Sequence, residues 1–506
     1  MHRFLSLKSL LFLATILGPG LSISFAQSGT IGSFEGKTNL DQPARKGSVV
    51  YDANLQQYTL SGSGDNMWFT HDQGYFVWKK MTGDFILQAQ LAFIGKGVEA
   101  HRKTGWMIRN SLDSGSAQVS AVVHGNGLTS LQFRRAPGLN TEEIQMGMLH
   151  PSLVQLERKG GHFIMAVARD GDTLQRVRLD TMALDGPVYV GIFICSHNPA
   201  VTENAVFHNV RIIVPAPGNF VPYRDYIGSN MEIMNVNTGY RKIIYRYKGS
   251  FQAPNWSRDG KYLLFNQEGL LYKLYFFAGK PVQLFTGSAT GNNNDHVISF
   301  DGKNLAISNQ SAAAGHASLV YTLPITGGNP VLLTPQGPSY AHGWSPDGKW
   351  IVYTGQRKGE FDIYRMPATG GTETRLTDAK GLDDGSEYSP DGKYIYFNSE
   401  RTGLMQIWRM RPDGSGQEQV THDGLNDWFP HISPDGKWIL FISFSTEVKS
   451  NDHPFYKQVY LRLMPVSGGE PRVIAYVYGG QGTMNTPNWA PDSRHIAFVS
   501  NSADIP

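Results

Sequence analysis

Beyond residue 250 the chain repeats one short arrangement of apolar and polar positions. An aromatic or aliphatic residue leads into a polar turn, and an alternating apolar strand follows. The copies read NWSRDGKYLLF from 255, VISFDGKNLAI from 297, GWSPDGKWIVY from 343, EYSPDGKYIYF from 387, HISPDGKWILF from 431 and NWAPDSRHIAF from 488. The turn aspartates Asp259, Asp301, Asp347, Asp391, Asp435 and Asp492 are 42, 46, 44, 44 and 57 residues apart. Pro presets φ in such a turn, Asp bonds its own backbone, and Gly accepts positive φ. Runs such as FDIYRMPATGG and QIWRMRPDGSG supply a third strand, and TETRLT and QEQVT a fourth. Four short strands at a period of about 40–45 residues predict the blades of a β-propeller. Six hairpins predict six blades, yet the last hairpin has no third and fourth strands behind it. The segment NMEIMNVNTGYRKIIY, 230–245, has that pattern with no hairpin ahead of it. The ring is expected to close by pairing these N-terminal strands with the C-terminal ones, which removes both free edges.

Residues 28–213 lack the repeat but alternate as strongly. DFILQAQLAF, TGWMIRN, AQVSAVVHG, LVQLERK, HFIMAVARDG, VYVGIFICS and AVFHNVRII read as strands separated by glycine turns. No helical period competes, so an antiparallel β-sandwich is expected. In GWMIR, Trp106 and Ile108 share one face while Met107 and Arg109 share the other. The Pro-rich stretch VPAPGNFVPY opens a linker at 214–227, and the propeller is expected over 228–501. The fold class is therefore all-β, a sandwich followed by a six-bladed propeller closed by N-terminal strands.

Composition narrows the setting. His2, Arg3 and Lys8 precede an apolar run broken at Gly18-Pro19-Gly20, and Ser24 and Ala26 suit a signal-peptidase site. Residues 1–26 are expected to be a signal peptide, with no membrane span after its removal, and the protein to be periplasmic or secreted. Its removal takes away Arg3 and Lys8 and no acid, so the formal charge goes from +3 to +1. That gives no basic footprint for nucleic acid. Cys195 is the one cysteine, in an alternating strand, and reads as a small buried thiol.

The repeats at 228–501 resemble the PD40 (WD40-like) repeats of TolB-type propellers. TolB-type proteins carry an α/β domain ahead of the propeller, whereas this sequence has a strand pattern there. GDFILQAQLAF, GWMIR and FHNVRI resemble concanavalin-like lectin sandwiches of the DUF1349 kind. That resemblance implies a sugar-holding concave face, for which Trp68, His71, Trp78, His101, Arg109 and Arg134 are the candidates.

The candidate chemistry lies on the propeller rim opposite the Ser-Pro-Asp-Gly turns, where each innermost strand begins. His296, His342, Glu387 and His431 stand one or two residues before the residue that ends this strand in four consecutive blades. Imidazole with carboxylate suits a divalent metal such as Mn, Zn or Ca, and these four are the expected ligand set. Asn294, Asp295, Asp384, Arg401, Trp428 and His453 are expected around it as binding residues. Asp383, Asp384 and Glu387 crowd together in GLDDGSEYSP, and a place on the rim would spare them burial. No HExxH, Walker, GxGxxG or GxSxG motif is present, which argues against a propeller peptidase. Two functions fit. One is a binding protein for an envelope or extracellular polymer, a polysaccharide, an oligosaccharide or an envelope protein. The other is a metal-dependent carbohydrate-active enzyme, a lyase or hydrolase, with His342 and Glu387 as catalytic candidates.

Overall fold

The computed structural model describes residues 31–310 and 315–505, so the expected signal peptide lies outside the described residues. The N-terminal half forms two seven-stranded antiparallel sheets. Alternation builds their common core: Phe85, Leu87, Ala89 and Leu91 from Phe85–Ile94 meet Trp106 and Ile108 from Lys103–Arg109. The opposite side of Lys103–Arg109 is buried as well. Met107 packs with Phe193 and Cys195, so the lone thiol is the small core residue expected of it. Arg134 grips Asp72 through two bonds of 2.8 and 2.9 Å, and Arg109 lies 3.5 Å from the same carboxylate. Both guanidiniums are fully enclosed, so neither can offer itself on an open sugar-binding face.

The C-terminal half is a ring of six sheets, five of four strands and one of three. Each innermost strand of the first five blades ends on the residue marked in the sequence: Trp256, Ile298, Trp344, Tyr388 and Ile432. These residues wedge between blades. The Trp344 indole N–H donates to the Val297 carbonyl of the preceding blade at 3.0 Å, and Trp489 donates to the His431 carbonyl at 3.0 Å. The turn chemistry also repeats. Ser345 donates to Asp347 at 2.6 Å and accepts from the Trp350 N–H at 2.9 Å, while Gly348 takes φ +71°. Ser299, Ser389 and Ser433 make the same bond to Asp301, Asp391 and Asp435.

Closure follows the expected route. Gly228–Asn235 pairs antiparallel with His495–Ser502, and Arg241–Tyr247 completes the sixth blade. The innermost strand of that blade shrinks to a single bridge, Trp489 to Ile496.

The expected linker is no free spacer. The Val214 and Ala216 N–H groups donate to the Ser502 and Tyr478 hydroxyls at 3.0 and 2.9 Å, and the Ile227 N–H donates to the Tyr456 hydroxyl at 3.1 Å. The outer face of the second sheet also packs on the ring: Ile86 and Ile213 join Ile227, Phe455, Tyr456 and Tyr478 in one apolar cluster.

At the centre of this junction sits Glu232, fully buried in the closing strand. It meets Arg211 of the second sheet at 2.5 Å and Arg241 at 3.5 Å, and accepts from the Ser500 hydroxyl at 2.5 Å. Burial would raise this carboxyl, but the two guanidiniums overcome it and bring it down to about 2. Glu232→Gln would leave two buried guanidiniums facing each other without a counter-charge. It should cost about 3–5 kcal/mol, read from the denaturant midpoint at pH 7; an unshifted midpoint would remove Glu232 from this role.

Candidate functional site

The innermost strands of blades one to five share a defect that decides where the rim residues point. Their pairing slips between Gln252 and Asn255, Asn292 and His296, Ala341 and Gly343, Asp384 and Glu387, and Trp428 and His431. A bulge inserts an extra residue and re-aims the side chains around it. Ala253, Gly385 and Phe429 accordingly take φ of 55°, 64° and 53°. At or ahead of the bulges, Gln252, Asn292, His342, Asp384 and Phe429 line the mouth, whereas Glu387 and His431 behind them pair across neighbouring blades.

The expected metal quartet is divided by this geometry. His296 and His342 stand two residues before the strand's last residue, whereas Glu387 and His431 stand one before it. Successive side chains of a strand take opposite faces. Glu387 and His431 pair with each other, Oε2 to Nδ1 at 2.6 Å, and Nε2 of His431 donates to the Met484 carbonyl at 2.8 Å. Glu387 also accepts from the Ile432 N–H at 3.2 Å, so the pair is a strut between blades four and five. His296 is fully buried near the Ala253 and Leu264 carbonyls, with no partner at full hydrogen-bond geometry, and burial holds it down to about 4. Among the described residues no three His, Cys, Asp or Glu side chains come together as a metal cage.

The acids of GLDDGSEYSP are buried after all, Asp383 at 1%, Asp384 at 9% and Glu387 at 8% exposure. Each instead has its own basic side chain as a partner. Asp383 takes Arg401 at 2.8 Å, Asp384 takes His342 at 3.0 Å, and Glu387 takes His431. Arg401 is thereby turned away from the mouth and also bonds Ser399 and Gln417. Trp428 is core, buried with its ring 4.4 Å from that of His453.

Asn294, Asp295, His342, Asp384 and His453 do come together. They line a cavity of about 960 Å³ at the mouth of the ring. Asp384 is its hub: Oδ1 receives the Thr354 hydroxyl at 2.6 Å and lies 3.0 Å from His342, while Oδ2 lies 3.9 Å from His453. Burial works to raise Asp384, but His342, His453 and Thr354 bring it down to about 2. Burial would lower His342, yet Asp384, Asp295 and Glu387 together raise it. Asp295 has no ion pair or side-chain hydrogen bond among the described residues. Burial pushes it up to about 7, with His342 easing and Asp384 adding to the shift.

The walls were not legible in the repeat. Tyr340 and Phe361 lie 6.4 Å apart on one side. Phe455 on the other is met edge-on by Tyr223 at 5.3 Å and Tyr226 at 5.8 Å, both from the expected linker. The cavity combines aromatic walls with amides and carboxylates, the mixture of surfaces found in small-molecule pockets.

The shift on Asp295 fixes a pH response. Between about pH 4 and pH 7 the folded chain holds a proton that the unfolded chain has released, so this group lowers stability as pH rises through that window. Asp295→Asn should therefore stabilise the protein at pH 8 by roughly 2–4 kcal/mol and leave it unchanged at pH 4. Equal melting shifts at both pH values would contradict a buried, unpaired Asp295.

Comparison with known proteins places the ring. The PD40 family, described as the TolB beta propeller domain, matches residues 298–455. An uncharacterized protein of Agrobacterium fabrum is 50% identical over 272 residues, which are 54% of this chain and 92% of that one. The solved structure of a putative TolB from Agrobacterium tumefaciens is 48% identical with a TM-score of 0.53, over 56% of this chain and 100% of that one. TolB from Acinetobacter baumannii is 19% identical with a TM-score of 0.38, over 51% of this chain and 66% of that one. With the repeats, the turns and the six-sheet ring in agreement, the chain belongs to the TolB β-propeller family.

Proposed function

We propose that the chain is an exported binding protein whose propeller mouth takes hold of an envelope or extracellular polymer, a segment of glycan. The observation that carries this is the cavity itself, aromatic on its walls and amide-rich on its floor. Asn292 and Asn294 are buried there with an amide oxygen and an amide nitrogen free of partners. Sugar rings suit such aromatic walls, and hydroxyls suit such amides. The signal-peptide pattern at 1–26 supports a periplasmic or secreted protein. The two seven-stranded sheets ahead of the ring are in keeping with a lectin-like sandwich of the DUF1349 kind, spanning 28–213. In this reading its second sheet braces the mouth, because the strap that bears Tyr223 and Tyr226 leaves from that sheet.

The enzymatic reading is the weaker of the two. It needed His296, His342, Glu387 and His431 to act together, and their side chains serve separate purposes. Its catalytic candidates are parted as well, since Glu387 is tied to His431 and His342 to Asp384.

Tyr340→Ala and Phe361→Ala test the binding role. Both side chains are half-buried at the mouth. Each variant should keep the parent's stability within about 1 kcal/mol, as expected away from the core. Each should lose at least tenfold in affinity for whichever polysaccharide retards the parent in affinity electrophoresis. Unaltered retardation in both would take the mouth out of consideration.

A further inference from the structure

The lining of the mouth has a charge bias that the binding reading does not use. Six carboxylates line it, those of Glu268, Asp295, Glu360, Asp384, Glu400 and Asp452, and among the described residues no Lys or Arg does. The two arginines nearest in sequence are turned outward: Arg357 is held by Glu373 at 2.8 Å, and Arg401 by Asp383. Inside, His342 is committed to Asp384. Asp295 is thus left as a carboxylate that is 7% exposed, faces the cavity and has no cation of its own among the described residues. A buried anion without a partner is costly, and the cost falls away when a cation arrives. The aromatic walls work in the same direction, since the faces of Tyr and Phe attract ammonium groups. A concave acidic site also concentrates cations and repels uronates.

We propose that the mouth recognises an organic ammonium group carried on a saccharide, that is, a free amino sugar, with Asp295 as its counter-ion. This rests on the mouth being the ligand site. The saccharide is favoured over a basic peptide because Asn266, Asn292 and Asn294 keep open hydrogen-bonding valences beside Asp295, which an array of hydroxyls would fill. The ammonium enters among Asp295, Glu360 and the Tyr340 face. The neighbouring His342–Asp384 pair stays intact.

The full chain would be titrated by calorimetry with four probes: a glucosamine oligomer, its N-acetylated counterpart, oligolysine and oligogalacturonate. The glucosamine oligomer should bind at least tenfold more tightly than the N-acetylated one, with affinity falling steeply as NaCl is raised. Oligogalacturonate should not bind. Asp295→Asn and, separately, Glu360→Gln should each lower glucosamine-oligomer affinity about tenfold or more, with circular dichroism and melting cooperativity retained. Glu360 is exposed, so its variant reports on binding even if the change at Asp295 disturbs folding. Tighter binding of oligolysine than of the glucosamine oligomer would overturn the saccharide assignment. Binding of oligogalacturonate or of the N-acetylated oligomer in preference, lost in Tyr340→Ala, would overturn the ammonium inference while leaving the mouth as the ligand site. Glucosamine-oligomer binding unchanged in Asp295→Asn, Glu360→Gln and Tyr340→Ala would overturn both. Failure of every cationic probe to bind at low salt would overturn the ammonium inference.

Discussion

The architecture depends on one buried carboxylate. Glu232 lies in the strand that closes the ring, and its oxygens are shared by Arg211, Arg241 and Ser500. Those partners come from the second N-terminal sheet, the outermost strand of the sixth blade and the C-terminal strand. The same charge thus sits where the ring closes and where the two halves meet. A buried ion group of this kind contributes specificity when all its members are satisfied, because any misplaced strand leaves a charge without its partner. The strand pairing from Gly228 with Ser502 to Asn235 with His495 then holds the closure along its length.

A second constraint acts at the mouth. Five bulges at corresponding places let one strand serve two surfaces. Behind the bulge, Glu387 and His431 tie blade four to blade five. Ahead of it, Asp384 faces the cavity with His342 and His453. The cavity is therefore assembled from the same strands that lock the ring, and the segment joining the halves supplies its remaining wall. Docking the second sheet on blades five and six brings Tyr223 and Tyr226 against Phe455, so the N-terminal half shapes the mouth without entering it.

Much of the ring was legible because its repeat is local. A serine, an aspartate and a glycine within one turn fix the hairpin, and the residue that ends the innermost strand is an aromatic or aliphatic wedge in every blade. Even the closure could be read, since 230–245 carries the pattern the last blade lacks. The site was legible only in part. Asn294, Asp295, Asp384 and His453 line the cavity at the mouth. The metal set does not, because an offset of one residue between His342 and Glu387 reverses the face of a strand and the bulge re-aims what remains. Arg401 and Trp428 went elsewhere for a different reason: a cation or an indole near a rim finds the nearest buried acid or apolar gap, here Asp383 and the core beneath His453. Tyr223 and Tyr226 belong to no repeat, and their place depends on how two halves dock, which no local pattern encodes.

Hydrogen exchange of the full chain with and without a saturating ligand tests the central claim most directly, because it reads both halves at once. If the mouth is the binding site, protection should rise at 292–297, 339–343, 383–387 and 222–227, where the cavity walls and the strap lie. Protection confined to 103–134, in the first N-terminal sheet, would contradict it and move the site to the other half of the molecule.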